Sequence, residues 1–235
     1  MKVAFEKYGK GMPIVLLHAF PLSRKMWKQQ INVLVESDCY VILPDFRGFG
    51  ETQIASDKTT MEDLANDIRE LLDHLEIEKA IIGGLSMGGY VTLNLYRLHP
   101  EKFAAMILAD TSSLADTEEK RLGRFSLIEK TLTHGMNAII EEMLPHLTSD
   151  YTKACNPDLI KQLEKEFLQT DPEGAIAALR GMAERLDHTD MLPEISVPTL
   201  LIFGREDKVT NLDGARLLNN KIPNSKLEII EDIGH

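Results

Sequence analysis

The 235-residue sequence lacks the features that mark several classes of protein. It has only two cysteines, Cys39 and Cys155, far apart in the chain. That excludes a disulfide framework and a thiolate zinc cage. Cys39 opens an apolar run and is expected to be a small buried hydrophobe. Cations are in deficit: 26 Lys and Arg against 37 Asp and Glu leave a formal charge of −11. A nucleic-acid partner, which needs a basic surface to displace counterions, is therefore not expected. No apolar run approaches the roughly 18 residues needed to cross a bilayer. Residues Met1–Lys10 lack a signal-peptide core and read as a half-buried strand, with Val3 and Phe5 alternating with polar residues. The expectation is a soluble cytoplasmic protein with no membrane partner. The cofactor fingerprints are missing too. There is no Gly-x-Gly-x-x-Gly, the Gly9-Lys10 pair lacks the earlier glycine of a P-loop, and the seven histidines form no His-Glu-x-x-His. No cofactor and no metal are expected, and any chemistry falls to side chains alone.

What is present is an ordinary globular balance, 43% hydrophobic and 27% charged. Short apolar runs at Ile14–Leu17, Tyr40–Leu43, Ala80–Ile82, Ala104–Leu108, Thr199–Phe203 and Leu227–Ile230 alternate with amphipathic stretches. This is the pattern of an α/β domain with a mostly parallel sheet, whose strands are apolar on both faces because helices cover both. Met61, Leu64, Ala65, Ile68, Leu71, Leu72 and Leu75 recur at helical spacing, and Thr59 with Glu62 carries a capping-box signature. Met87–His99 reads as a second helix, stopped by Pro100. After Asp110 the alternation ends. Asn156-Pro157 and Asp171-Pro172 each place a capping residue before a first-turn proline, and no strand is legible until Val197. The expected organisation is a core over 1–111, a helical lid over 112–195 and the rest of the core over 196–235. A stretch that long exceeds a connection, and the carboxyl ends of the strands are where open α/β sheets bind ligands.

Gly84-Leu85-Ser86-Met87-Gly88 joins the strand at Ala80–Ile82 to the following helix. A serine on such a turn has a strained backbone and an exposed hydroxyl, and its neighbours must be small for strand and helix to approach. A serine needs a base, and in this architecture the partners follow in the order Ser, acid, His. His235 follows a late strand with Gly234 before it, whereas His99, His134, His146 and His188 fall on a helix end or in the lid. Asp207 lies just past the Thr199–Phe203 strand and is the favoured acid; Asp110, ending the preceding strand, is its rival. An oxyanion hole needs two backbone N–H groups. Met87 supplies one, and Phe20, in the loop His18-Ala19-Phe20-Pro21, the other. His18 precedes Ser86 and reads as a brace for that loop, and Asp45–Gly50 reads as a structural turn.

Together these pieces resemble the α/β-hydrolase family over essentially the whole chain: His18–Leu22, Pro44–Gly50, Gly84–Gly89, Pro198–Asp207 and Gly234-His235. Leu108-Ala109-Asp110-Thr111 and Gly181–Arg185 add a likeness to its small esterases and 3-oxoadipate enol-lactonases. The resemblance implies an α/β-hydrolase fold with a helical lid inserted between core strands. It also implies a cofactor-independent serine hydrolase of a small-molecule ester or lactone, with Ser86, Asp207 and His235 as its triad. Carbon–carbon bond hydrolysis on the same triad, or a ligand sensor on the same scaffold, are the alternatives. If the substrate bears a free carboxylate, Arg124 and Arg180 are the candidate lid cations. The sequence departs from the family at two points. Ala19 stands where many members have glycine, and members continue beyond the position of His235 into another helix. The chain is therefore expected to be the truncated record of a longer one, with apolar surface exposed near Met26–Val35. The sequence leaves the oligomeric state open.

Overall fold

A computed structural model describes residues 2–235. Seven strands form one sheet: β1 (Phe5–Gly9), β2 (Met12–Leu17), β3 (Cys39–Pro44), β4 (Ala80–Leu85), β5 (Phe103–Ala109), β6 (Thr199–Gly204) and β7 (Ser225–Ile230). Their order is β1-β3-β2-β4-β5-β6-β7, and every pairing is parallel except β1 with β3. The carboxyl ends of β4, β6 and β7 consequently share one edge of the sheet.

Alternation along the strands explains why they read as unbroken apolar runs. Val15 and Leu17 face the larger core, while Ile14 and Leu16 face a second cluster with Val41 and Leu43. The larger core is completed by α2 (Met61–His74), α3 (Met87–Leu98) and α9 (Leu212–Lys221). The second cluster lies under α1 (Ile31–Glu36) and the 3-10 turn Arg24–Gln29, through Trp27, Ile31, Leu34 and Val35. Ile81, Ile107, Leu200 and Ile202 are only half-buried. Cys39 is also half-buried, not enclosed as its apolar run suggested, because it opens β3 where the chain enters the sheet.

Helix α2 buries Met61, Leu64, Ala65, Ile68, Leu71 and Leu72, the stripe legible in the sequence. Its cap lies one residue later than expected. Thr60 is the N-cap, and its hydroxyl and the Asp63 carboxylate close the capping box in place of Thr59 and Glu62. Thr59 is occupied elsewhere: its N–H donates to Ala177 O at 3.0 Å. A Cβ at Gly181 would fall 1.7 Å from the Thr59 carbonyl oxygen, so the chain is drawn against a helix of the inserted segment.

Between β5 and β6 the described residues contain α4 (Glu118–His134), α5 (Met136–Leu147), α6 (Asp150–Cys155), α7 (Pro157–Leu168) and α8 (Pro172–Ala183), and no strand. Asn156 and Asp171 cap α7 and α8 ahead of Pro157 and Pro172, as the sequence indicates. Buried Asp116 ties the segment together, accepting from Arg124 Nε at 2.5 Å and from Arg185, whose guanidinium lies 4.3 Å from the centre of the Tyr90 ring. No described helix is long and apolar enough to cross a membrane.

Candidate active site

Ser86 sits between β4 and α3 with φ 55° and ψ −113°, a positive-φ conformation that costs a non-glycine residue of order 1–3 kcal/mol. The flanking glycines explain how the turn closes. A Cβ on Gly84 would lie 2.2 Å from the Gly88 carbonyl carbon, and one on Gly88 would lie 2.3 Å from Leu17 O. The turn is then pinned through the backbone. Ser86 N–H donates to Ala109 O at 3.0 Å, and the Thr111 hydroxyl donates to Ser86 O at 2.8 Å. The Ser86 side chain is half-exposed and forms no hydrogen bond among the described residues.

The acid and the histidine are brought together. His235 Nδ1 and Asp207 Oδ2 are 2.8 Å apart, with side chains 5% and 1% exposed. Asp207 also accepts from the N–H groups of Val209 (2.6 Å) and Thr210 (2.9 Å) and from the Thr210 hydroxyl. Burial alone would push its carboxyl up, but the hydrogen bond and charge of His235 and the Thr210 donors outweigh it and hold Asp207 below the ordinary range. A carboxylate accepting from Nδ1–H fixes the tautomer that leaves Nε2 free as a base. His235 is anchored by its own N–H, which donates to Leu147 O at 2.8 Å, while Ser149 Oγ donates to Asp232 O at 2.6 Å.

Asp110 lies in the same cluster: it, Asp207 and His235 offer atoms that all lie within 4.8 Å of one another. Three such groups could hold a metal ion in principle, but the Asp207 oxygens and Nδ1 are already committed to each other and to backbone donors. The structure thus unites the favoured acid and its rival, and it is Asp207 whose carboxylate meets the imidazole.

Neither Phe20 N–H, in the loop after β2, nor Met87 N–H, at the first residue of α3, has a partner among the described residues. Donors at a helix N-terminus and an adjacent loop suit a developing oxyanion. The loop is braced from both sides. Ala19 N–H donates to Met26 Sδ at 3.2 Å, and His18 Nε2 accepts from Phe46 N–H at 3.0 Å. His18 Nδ1 is 3.0 Å from Ala19 O, so Nδ1 carries the proton of the neutral ring. Asp45, fully buried, accepts from Arg24 N–H and Glu51 N–H and pairs with the Arg24 guanidinium.

Burial depresses the pKa of His18 to about 4, against the pull of the Ala19 carbonyl and the Asp45 charge. The unfolded chain takes up this proton near 6.5 while the folded one resists it. The contribution to stability is therefore present above pH 6.5 and is lost as pH falls toward 4, by on the order of 3 kcal/mol. Urea unfolding should show wild type losing about that much more stability than His18→Gln between pH 7 and pH 4. Parallel losses would contradict a neutral, bracing His18.

A cavity of about 1040 Å³ is lined by Ala19, Phe20 and Leu22 of the loop, Leu147 and Leu163 of the inserted helices, and His235. Arg124 and Arg180 do not line it. Arg124 is bound to Asp116, and Arg180 donates to Asp57 O at 2.7 Å and pairs with its carboxylate. Lys25 and Lys28 line it instead. The sequence reading also missed Thr111, Thr210, Met26 and the Leu147 carbonyl. Thr210 alone left a trace, as a hydroxyl residue three positions after an aspartate in a turn. The others act through a hydroxyl, a thioether or a backbone carbonyl that only the fold brings near.

Residues 12–235 match the family described as alpha/beta hydrolase fold. Among solved structures, a thermophilic esterase from Thermogutta terrifontis is 40% identical with a TM-score of 0.96, over 99% of this chain and 86% of that one. The enol-lactonase from Burkholderia xenovorans LB400 is 26% identical with a TM-score of 0.91, over 99% of this chain and 89% of that one. The curated 3-oxoadipate enol-lactonase 1 of Acinetobacter baylyi is 28% identical over 218 residues, 93% of this chain and 80% of that protein.

Proposed function

The chain belongs to the α/β hydrolase family, and on that premise we propose that it hydrolyses a carboxylic ester or lactone through Ser86, His235 and Asp207. The observation that carries this reading is the closed His235–Asp207 pair at the carboxyl edge of the sheet, the edge where β4 delivers a strained Ser86.

In this mechanism the Ser86 hydroxyl attacks the substrate carbonyl as His235 Nε2 takes its proton. The imidazolium so formed lies against the Asp207 carboxylate, which stabilises it without accepting the proton. The carbonyl oxygen becomes an anion held by Phe20 and Met87 N–H groups. Collapse of the tetrahedral intermediate expels the alkoxide, which takes the proton from Nε2 and leaves an acyl-Ser86. Water attacks the acyl carbon, gives a proton to Nε2, and the second collapse returns that proton to Ser86 with release of the acid. The segment 112–195 serves as a lid: Leu147 and Leu163 supply apolar wall to the cavity beside His235. An ester or lactone is the substrate class favoured by likeness to an esterase and to enol-lactonases. Arg124 and Arg180, each paired with an aspartate away from the cavity lining, have no substrate contact in this reading.

The test is a panel of aryl esters of increasing acyl length and of small lactones, assayed with the purified chain and with Ser86→Ala. Turnover of panel members by wild type alone is the expected result. Equal rates for the two proteins on every member would refute the assignment.

A further inference from the structure

Asp110 is a buried carboxyl group that the proposed mechanism does not use. It is 6% exposed, follows β5 with a positive φ of 37°, and is held by two bonds to β6: its N–H donates to Ile202 O at 3.0 Å and its Oδ1 accepts from Gly204 N–H at 2.9 Å. An aspartate in that backbone conformation is strained. What the strain achieves is position, since the carboxyl stands beside both Asp207 and His235, within 4.8 Å of each.

Two buried carboxylates this close to one imidazole repel each other, and the single cation that faces them offsets only one charge, so one of the two carboxyls is driven toward its protonated form. The donors decide which one keeps the charge. Asp207 accepts from Val209 N–H, Thr210 N–H, the Thr210 hydroxyl and His235, whereas among the described residues Asp110 accepts only from Gly204 N–H. Asp207 and His235 are the titratable groups facing Asp110, and among the described residues no lysine or arginine pairs with either carboxylate. We propose that Asp110 is a positioning residue that retains a proton where an ordinary surface carboxyl has lost it and donates it in a hydrogen bond to the Asp207 carboxylate, steadying the acid that holds His235. Burial and the neighbouring Asp207 act in the same direction, against Gly204 N–H and the His235 charge, and raise the Asp110 carboxyl to about 7.

The proposal rests on the triad reading and has a consequence of its own. Above neutrality Asp110 ionises and sets a second negative charge near the ring, which favours the imidazolium over the free base. The ionisation of Asp110 then adds a second component to the pH dependence of kcat/KM near neutrality.

Asp110→Asn can accept from Gly204 N–H and donate to Asp207 but cannot ionise, and Asp110→Ala can do none of these. Asp110→Asn should lose the component near neutrality and follow a single ionisation on the acid limb. Asp110→Ala should lose about tenfold in kcat at its optimum, and Asp110→Asn should recover most of that loss. A direct readout needs no turnover. In protein with ¹³C-labelled aspartate carboxyls and Ser86→Ala, one aspartate carboxyl should titrate near neutrality, and that resonance should vanish when Asp110→Asn is added. An Asp110 carboxyl titrating near 4, or an Asp110→Asn profile superimposable on wild type, would overturn the proposal. Failure of the triad reading would show differently, as undiminished hydrolysis in Ser86→Ala whatever the titration reveals.

Discussion

Ser86→Ala is expected to reduce kcat for ester hydrolysis by on the order of 10⁶, leaving only the catalysis that substrate binding and the oxyanion donors provide. The size follows from the mechanism: without the hydroxyl there is no covalent path, and His235 and Asp207 have no nucleophile to serve. Folding should survive the change. Among the described residues Ser86 forms no side-chain hydrogen bond, and its pinning contacts, to Ala109 O and from Thr111, use its backbone. The positive φ of 55° is no worse for alanine than for serine. Steady-state kinetics with a matched unfolding curve would check both halves, and substantial turnover in a folded Ser86→Ala protein would remove Ser86 from the chemistry.

Asp207→Asn should lower kcat by about 10⁴, as expected where an amide replaces the acid of a serine triad. Asp207 accepts on both oxygens: Oδ1 from Val209 and Thr210 N–H, and Oδ2 from the Thr210 hydroxyl and His235. An amide has one oxygen. With that oxygen kept on the backbone donors, its NH₂ faces His235 Nδ1 and selects the tautomer whose proton sits on Nε2, where the base is needed. The loss should fall on kcat, because the cavity lining is unchanged. Asp110→Asn should cost far less, and if the two losses were reversed the acid role would pass to Asp110.

The sheet and the serine turn were legible because both are written in local chemistry. Six apolar runs became β2 through β7 with ends extended by a few residues, as expected where boundaries depend on pairing rather than composition. The turn at Ser86 needs small residues at Gly84 and Gly88, and that need is visible in any sequence that carries it. The capping box was displaced by one position, to Thr60 and Asp63, because both readings satisfy the local pattern. Only the contact of Thr59 with Ala177 and Gly181, more than a hundred residues later, separates them. Cys39 was misjudged for a similar reason: its place in an apolar run says nothing of where the strand enters the sheet. The pairing of Asp110 with Asp207 is equally remote from sequence, since it arises from β5 and β6 lying side by side. Arginines on helices carry still less information. Arg124 and Arg180 are candidates for a substrate carboxylate only as cations within the inserted segment, and the fold gives each a carboxylate partner of its own.

The central claim is that Ser86 is the one activated nucleophile of this chain, and covalent labelling tests it most directly. A fluorophosphonate reacts with a serine only where a base and an oxyanion hole act together, because phosphonylation, with fluoride leaving, passes through the charge distribution of acyl transfer. Wild type treated with the probe, digested and mapped by mass spectrometry, should carry a single adduct on the peptide containing Ser86. Asp207→Asn should label far more slowly at the same residue. An adduct on any other residue, or none at Ser86 in a folded protein, would contradict the account.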